Sequence, residues 1–256
     1  MKLLSSASVL LLAVGLTGCA SAPQSMAPHA ATGIQRLAVV SVTGGEFIRQ
    51  YVGVTQFGNE REKKSIVSWN LDKAYEAQMG EAAEQVLGAT VVPVVYPAAD
   101  FKGVDDIRGP VDIASYWGPH WDAIEAPVRG LCAANRLDSV LVAVRQKTPD
   151  VFGDTNRFVY GAGIHTTAWG ASQLHLLSSL SLVDCKSGKT LARQWLTQSP
   201  TGELRDRLVT APLPTEVSRT PIPEWTPEIE SRLRQALVDL PKTAWVSTLR
   251  SMVPQK

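Results

Sequence analysis

The most reactive side chains in this sequence are three thiols, Cys19, Cys132 and Cys185. Their spacing fits no zinc-ligand pattern, and with Cys19 set apart the other two form an even pair suited to a disulfide. His29, His120, His165 and His175 are scattered, without the helical spacing that would bring two imidazoles to one metal, so they read as surface or core-satisfied histidines. Gly188-Lys189-Thr190 has the tail of a phosphate-binding P-loop. The motif needs glycine where Val183 stands, however, and the segment reads as a turn between two strands. Gly161-Ala162-Gly163 lacks the third glycine and the following helix of a dinucleotide fingerprint and reads as a flexible strand or bulge. Ser172 and Ser178 have no Gly-x-Ser-x-Gly context. Asp150, Asp154 and Asn156 are an oxygen-rich group without the glycine and distal glutamate of an EF-hand, open to cation binding or to plain turn chemistry. With neither a nucleophile-base pairing nor a metal spacing visible, no cofactor and no catalytic set is implied.

Cys19 stands at the end of an address. Lys2 is followed by an apolar run of about a dozen residues that closes on Leu16-Thr17-Gly18-Cys19, the pattern of a secretory signal peptide, too short to span a bilayer. Leu-Thr-Gly-Cys resembles the bacterial lipobox. That resemblance implies cleavage between Gly18 and Cys19, acylation of the Cys19 thiol and stable anchoring in membrane lipid through two or more chains. An aspartate after the cysteine retains many such lipoproteins in the inner membrane. Ala20 stands there instead, so the expected location is the outer membrane, periplasmic face. Residues 20–33 are small, polar and proline-spaced, and as a flexible tether would reach roughly 20 Å. The expected layout is a signal peptide over 1–18, an anchored tether over 19–33 and one periplasmic domain over 34–256.

About 220 residues remain for that domain, enough for one sizeable core. Basic and acidic residues number 25 and 24, and Lys2 is the one charge before Cys19, so the mature chain is close to neutral. No basic patch points to nucleic acid.

The elements that must position any site follow from the pattern of apolar residues. Arg36 to Val42 and Ser139 to Val144 are short apolar runs of the kind buried on both faces of a sheet. Between Gly44-Gly45 and Gly58-Asn59 lies a looser alternating segment, expected as one or two irregular strands. Asn70 to Gly88 has an asparagine cap, an acidic first turn, apolar residues at helical spacing and a terminal glycine. Thr90 to Tyr96 reads as a strand whose Pro93 confines it to an edge or bulge, and Trp121 to Asn135 as a second helix. Residues 150–170 form a second glycine- and aromatic-rich excursion. Leu174 to Leu182 alternates leucines with His175, Ser179 and Ser181, a strand with one dry and one polar face, and Thr190 to Leu196 returns as its partner. Residues 199–223 show no period and read as an extended loop. Thr226-Pro227-Glu228 starts a helix that Pro241 breaks and a second segment continues to about Met252.

This order describes an α/β (α+β) domain, a central mixed sheet flanked by helices in two or three layers. If the strand ending near Cys185 pairs antiparallel with the 139–144 strand, its end falls beside the end of the helix carrying Cys132, and the two thiols share a neighbourhood. Arg36 to Val42, the 70–88 helix, Asn135 to Val144 and Ser181 to Thr190 together resemble the small α/β domain of periplasmic lipoproteins of the CsgG and PelC type and of the TolB amino-terminal domain. The two excursions and the proline-rich 199–225 stretch depart from its minimal form.

Two function classes follow. The first is a non-catalytic module of the cell envelope that docks another envelope protein or self-associates. It would use a rim of Tyr51, Phe57, Asp150, Asp154, Phe158, Tyr160 and His165 at the carboxyl ends of the buried strands. The second is a small-ligand binder or enzyme built on the 150–170 part of the same rim. The seven tryptophans are expected chiefly in packing, with an exposed aromatic patch as the alternative.

Overall fold

The computed structural model describes residues 24–27, 33–104, 119–149, 152, 158–170 and 172–254. In chain order the strands are β1 Arg36–Val42, β2 Glu46–Val52, β3 Glu60–Ser65, β4 Thr90–Val91, β5 Ser139–Arg145, β6 Lys147–Pro149, β7 Phe158–Tyr160, β8 Ala162–Thr167, β9 Ser172–Leu176, β10 Ser178–Asp184, β11 Thr190–Trp195 and β12 Thr210–Pro212. The helices are α1 Leu71–Leu87, α2 Glu125–Asn135, α3 Leu204–Arg207, α4 Thr215–Arg219, α5 Pro227–Asp239 and α6 Lys242–Met252.

The two apolar runs are the centre of the molecule. β1 and β5 pair in parallel from Leu37↔Ser139 to Val42↔Val144, with β4 parallel on the other side of β1 and β10 and β11 antiparallel beyond β5. The resulting sheet runs β11-β10-β5-β1-β4 and is covered on both faces. Leu37, Val39, Leu141, Leu180 and Leu182 face α1, α5 and α6, and meet Tyr75, Met79, Leu237 and Trp245. Ala38, Val40, Val140, Val142 and Val144 face the other way, onto Val128 and Leu131 of α2 and onto Phe101, Trp121 and Ile124. Burial on both sides is why these strands carry no polar alternation. Each fully buried Leu or Val contributes about 1.5–3 kcal/mol of transfer free energy.

The excursions are more regular than their composition suggests. Both enter a second sheet, ordered β12-β9-β8-β2-β3, which continues from the carboxyl ends of β1 and β5, while β6 and β7 pair with each other as a separate two-stranded sheet. β2 pairs in parallel with β8 and antiparallel with β3, whose Glu60-Arg-Glu-Lys-Lys-Ser65 sequence has no apolar face. Charges on an edge strand deter pairing with a second chain, so a strand of this composition is stable only at a sheet edge. The expected single strand through 174–182 is two strands, passing from one sheet to the other at Leu177. Its serine face is covered as well: Ser179 and Ser181 are buried, and Ser179 Oγ donates to Gln146 Oε1 at 3.2 Å.

Four further expectations are corrected. The 90–96 strand shrinks to Thr90–Val91, an edge position in keeping with Pro93. The 199–223 loop contains α3, β12 and α4, elements of three to five residues, too short to show a period. Asn70 precedes α1, but at φ 53° its side chain caps nothing. Gly88, at φ 67°, closes the helix by donating its amide to the Glu84 carbonyl, a left-handed position that glycine takes without steric cost. Finally, the folded body does not start at Ile34: Gln24 bridges to Arg193 on β11, and Met26 is 4% exposed within the main core.

Cys132 and Cys185 form a disulfide, with Cα atoms 5.5 Å apart. The antiparallel register that ends at Asp184↔Ser139 brings the end of β10 to the end of α2. The Cys185 amide donates to the Asp138 carbonyl at 2.8 Å and holds that corner.

Candidate functional site

Both excursions leave the sheet where β1 and β5 end. From there the connections diverge, through α1 to β4 on one side and through the second sheet to β10 on the other. A crevice at such a divergence is where open α/β sheets bind ligands. It holds a cleft of about 520 Å³ lined by Val42, Gly45, Asp72, Lys73, Phe101 and Arg145.

Its polar wall is set by the first turn of α1. One Asp72 carboxylate oxygen, Oδ1, accepts the Thr43 amide at 2.8 Å, the Gly44 amide at 2.9 Å and the Ser41 hydroxyl at 2.7 Å. An aspartate there also complements the positive end of the helix dipole. Gly44 is needed for the approach, since a Cβ at that position would lie 2.9 Å from the Leu71 Cβ. Behind it, the Tyr96 hydroxyl lies between the Glu76 carboxylate and the Ser41 carbonyl, the latter at 2.8 Å. Burial, and then the hydrogen bond to Glu76, push the Tyr96 phenol well above the ordinary tyrosine range. Arg145, from the end of β5, points its Nη1 to within 3.9 Å of Glu46.

A second, smaller cleft of about 220 Å³ lies between β2 and β3 of the second sheet and β7 of the two-stranded sheet. Tyr51, Phe158 and Tyr160 line it together with Gln50, Asn59 and Arg61. The Arg61 guanidinium stacks over the Tyr160 ring at 4.7 Å. Asn59 is oriented by its Oδ1, which accepts the Gly53 amide at 3.0 Å. Gln50 is 4% exposed, and its amide nitrogen, itself buried, has no hydrogen-bond acceptor among the described residues. Glu60 lines the same cleft and, with Glu62, pairs with the buried Arg49, at 3.0 and 3.1 Å. Arg49 in turn donates to the Ser218 and Arg219 carbonyls and fastens α4 to the second sheet.

Of the expected rim, the structure brings Tyr51, Phe158 and Tyr160 into one cleft. His165 does not reach the surface. It is buried on β8 opposite Gln50, with its ring 5.6 Å from that of Phe152, so it cannot meet a partner directly. Phe57 stands apart on the turn between β2 and β3, 91% exposed. Asp150 and Asp154, like Gly18, Cys19 and Trp117, lie outside the described residues. Trp69, Trp121, Trp225 and Trp245 are packed and Trp169 is exposed.

Gln50, Asn59, Arg61, Asp72 and Arg145 had no motif to announce them. The one available sign was Arg61 in a run of alternating charge. Among the described residues, no group of three or more His, Cys, Asp or Glu side chains is arranged to hold a metal ion. No described helix is long and apolar enough to cross a membrane.

No family model matches this chain, and no curated protein does. Among solved structures, it is similar to the PelC dodecamer from Paraburkholderia phytofirmans, at 10% identity over 91% of this chain and 97% of that one, with a TM-score of 0.33. A lipoprotein from Neisseria meningitidis is similar at 12% identity over 80% of this chain and 96% of that one, also with a TM-score of 0.33. At these values the likeness assigns no function to the chain.

Proposed function

We propose that this protein is a lipid-anchored component of the bacterial cell envelope, held by acylated Cys19 at the periplasmic face of the outer membrane, and that its one folded domain is a non-catalytic docking module. The lipobox-like Leu16-Thr17-Gly18-Cys19 supports the anchor. The Cys132–Cys185 disulfide supports an oxidising compartment such as the periplasm. The observation that carries the docking role is the cleft where Tyr51, Phe158 and Tyr160 converge with Arg61 and Glu60. Such a wall receives a segment of another envelope protein or of a second copy, with aromatic rings supplying area at low entropic cost.

The test is photocrosslinking in intact cells with a carboxyl-terminal tag, comparing the unchanged protein with Arg61→Glu and Tyr160→Ala. A dominant protein adduct that both substitutions remove supports the docking role. Unchanged adducts in both variants refute this surface. A Cys19→Ala protein that is still processed and still recovered with membranes refutes the anchor.

A second reading, a small-ligand binder, draws on the 520 Å³ cleft at the divergence of β1 and β5, where Asp72, Lys73 and Arg145 place both charge signs around an apolar floor. It places the ligand beside α1, away from the 150–170 rim.

A further inference from the structure

Residues 24–26, which begin five positions after Cys19, are docked on the folded body. The Gln24 amide donates to the Arg193 carbonyl at 2.8 Å and the Arg193 amide donates back to the Gln24 carbonyl at 2.7 Å, so Gln24 extends the sheet beyond β11. Two residues on, the Met26 amide donates to the Met252 carbonyl at 2.9 Å, and the Met26 side chain is buried in the main core. The chain is thus latched to both β11 and the end of α6. Between Cys19 and this latch there are five Cα steps, which span at most about 18 Å when fully extended. A tether free to Ile34 would allow fifteen steps, or at most about 54 Å.

We propose that the β11–α6 edge of the domain is a membrane-facing surface. It rests on lipid headgroups while the opposite edge, formed by β4 and β3, points away from the bilayer. This rests on the acylation of Cys19 proposed above. The asymmetry of the fold sets the direction. In both sheets the strand order runs from the latched side, β11 and β12, to β4 and β3. Four interstrand spacings separate the edges of the first sheet, about 19 Å. A latch that leaves Cys19 no more than about 18 Å from Gln24 keeps the β11 edge within that distance of the lipid surface, whereas the β4 edge lies about 19 Å further along the sheet. The two edges differ in kind. β3 carries the strongly charged Glu60-Arg-Glu-Lys-Lys sequence, suited to water. β11, Thr-Leu-Ala-Arg-Gln-Trp, carries a single charge, and its half-buried Trp195 packs on the cluster of Phe152, Val159, Leu177 and Leu208. The Arg61–Tyr160 cleft borders β3, so this orientation turns it toward partners in the compartment.

The experiment places a photoreactive benzoylphenylalanine at Gln194 on β11 or at Lys63 on β3 in the full chain. After irradiation of intact cells, lipid adducts are read by mass spectrometry alongside the mass of the peptide that begins at Cys19. With Cys19 acylated, lipid adducts at position 194 and none at 63 are expected. A flexible Gly-Ser insertion between Ala22 and Pro23, which leaves the latch untouched, should abolish that difference. Equal adducts at the two positions, protein adducts in place of lipid at 194, or a difference that survives the insertion would overturn the orientation alone. An unacylated Cys19 overturns the anchor, and the orientation with it.

Discussion

The Asp72 carboxylate accepts the Thr43 amide at 2.8 Å and so ties the first turn of α1 to the point where β1 ends. The same oxygen takes the Gly44 amide and the Ser41 hydroxyl, so one side chain satisfies the backbone as it turns from the first sheet into the second. Asp72→Ala is expected to lower stability by about 2–3 kcal/mol, the range for hydrogen bonds to a charged group plus the amides left behind. Asp72→Asn keeps one acceptor oxygen and should lose less. Urea midpoints of the two variants check this, and equal losses would mean that the charge alone matters.

The disulfide closes a loop with a sequence separation of 53. In the chain-entropy account such a loop is worth about 4 kcal/mol. Reducing the bond, or replacing both cysteines with serine, should therefore lower the unfolding midpoint strongly while leaving the oxidised protein's resistance to thiol labelling at both positions as the control. Full labelling of Cys132 and Cys185 in denatured, unreduced protein would show that the bond is absent.

Alkaline pH should unfold the domain. Burial raises the Tyr75 phenol far above its ordinary range, and burial together with Glu76 does the same for Tyr96. A raised pKa means that the unfolded chain ionises first. The contribution is thus fully present below the unfolded value of about 10 and is lost as pH rises through the folded values. Urea midpoints measured from about pH 8 to about pH 11 should be flat at first and then fall. Tyr96→Phe should make the fall shallower, and an unchanged slope would remove Tyr96 from the account.

Gly163 in β8 is a test of close packing in the second sheet. A Cβ there would lie 2.2 Å from the Ile48 carbonyl oxygen and 3.0 Å from the His175 ring. The first neighbour is backbone and cannot rotate away. Gly163→Ala should cost about 2–3 kcal/mol through forced separation of β2 and β8. Gly45→Ala meets nothing within 4 Å and should stay within about 0.5 kcal/mol of the parent. Thermal melts of the two variants decide it.

How much of this was readable from the residues depends on the range of the physics. Apolar periodicity and local capping act over a few residues, so β1, β5, α1 and α5 stand where their patterns place them, and Pro93 marks an edge because a missing amide is a local fact. β3 was not legible. Its stability comes from being the outermost strand beside β2, and nothing within Glu60 to Ser65 records that neighbour. The serine face of β10 looked solvent-exposed because alternation reports polarity, whereas burial depends on what packs above. The clefts were legible in part: aromatic Tyr51, Phe158 and Tyr160 drew notice by type, while Gln50 and Arg61 acquired their meaning by proximity.

By itself, then, the amino-acid sequence determined the near-neutral charge, the mixed α/β class and the two strands that must be buried on both faces. These depend on composition and on contacts close along the chain. Tertiary structure alone decided that the strands divide between two sheets at Leu177, that His165 lies beneath the rim rather than on it, and that Met26 is core. Each of these is a choice between solvent and a partner segment many residues away. Short-range patterns carry no record of it, because the free energy that settles it arises only when the distant surfaces meet.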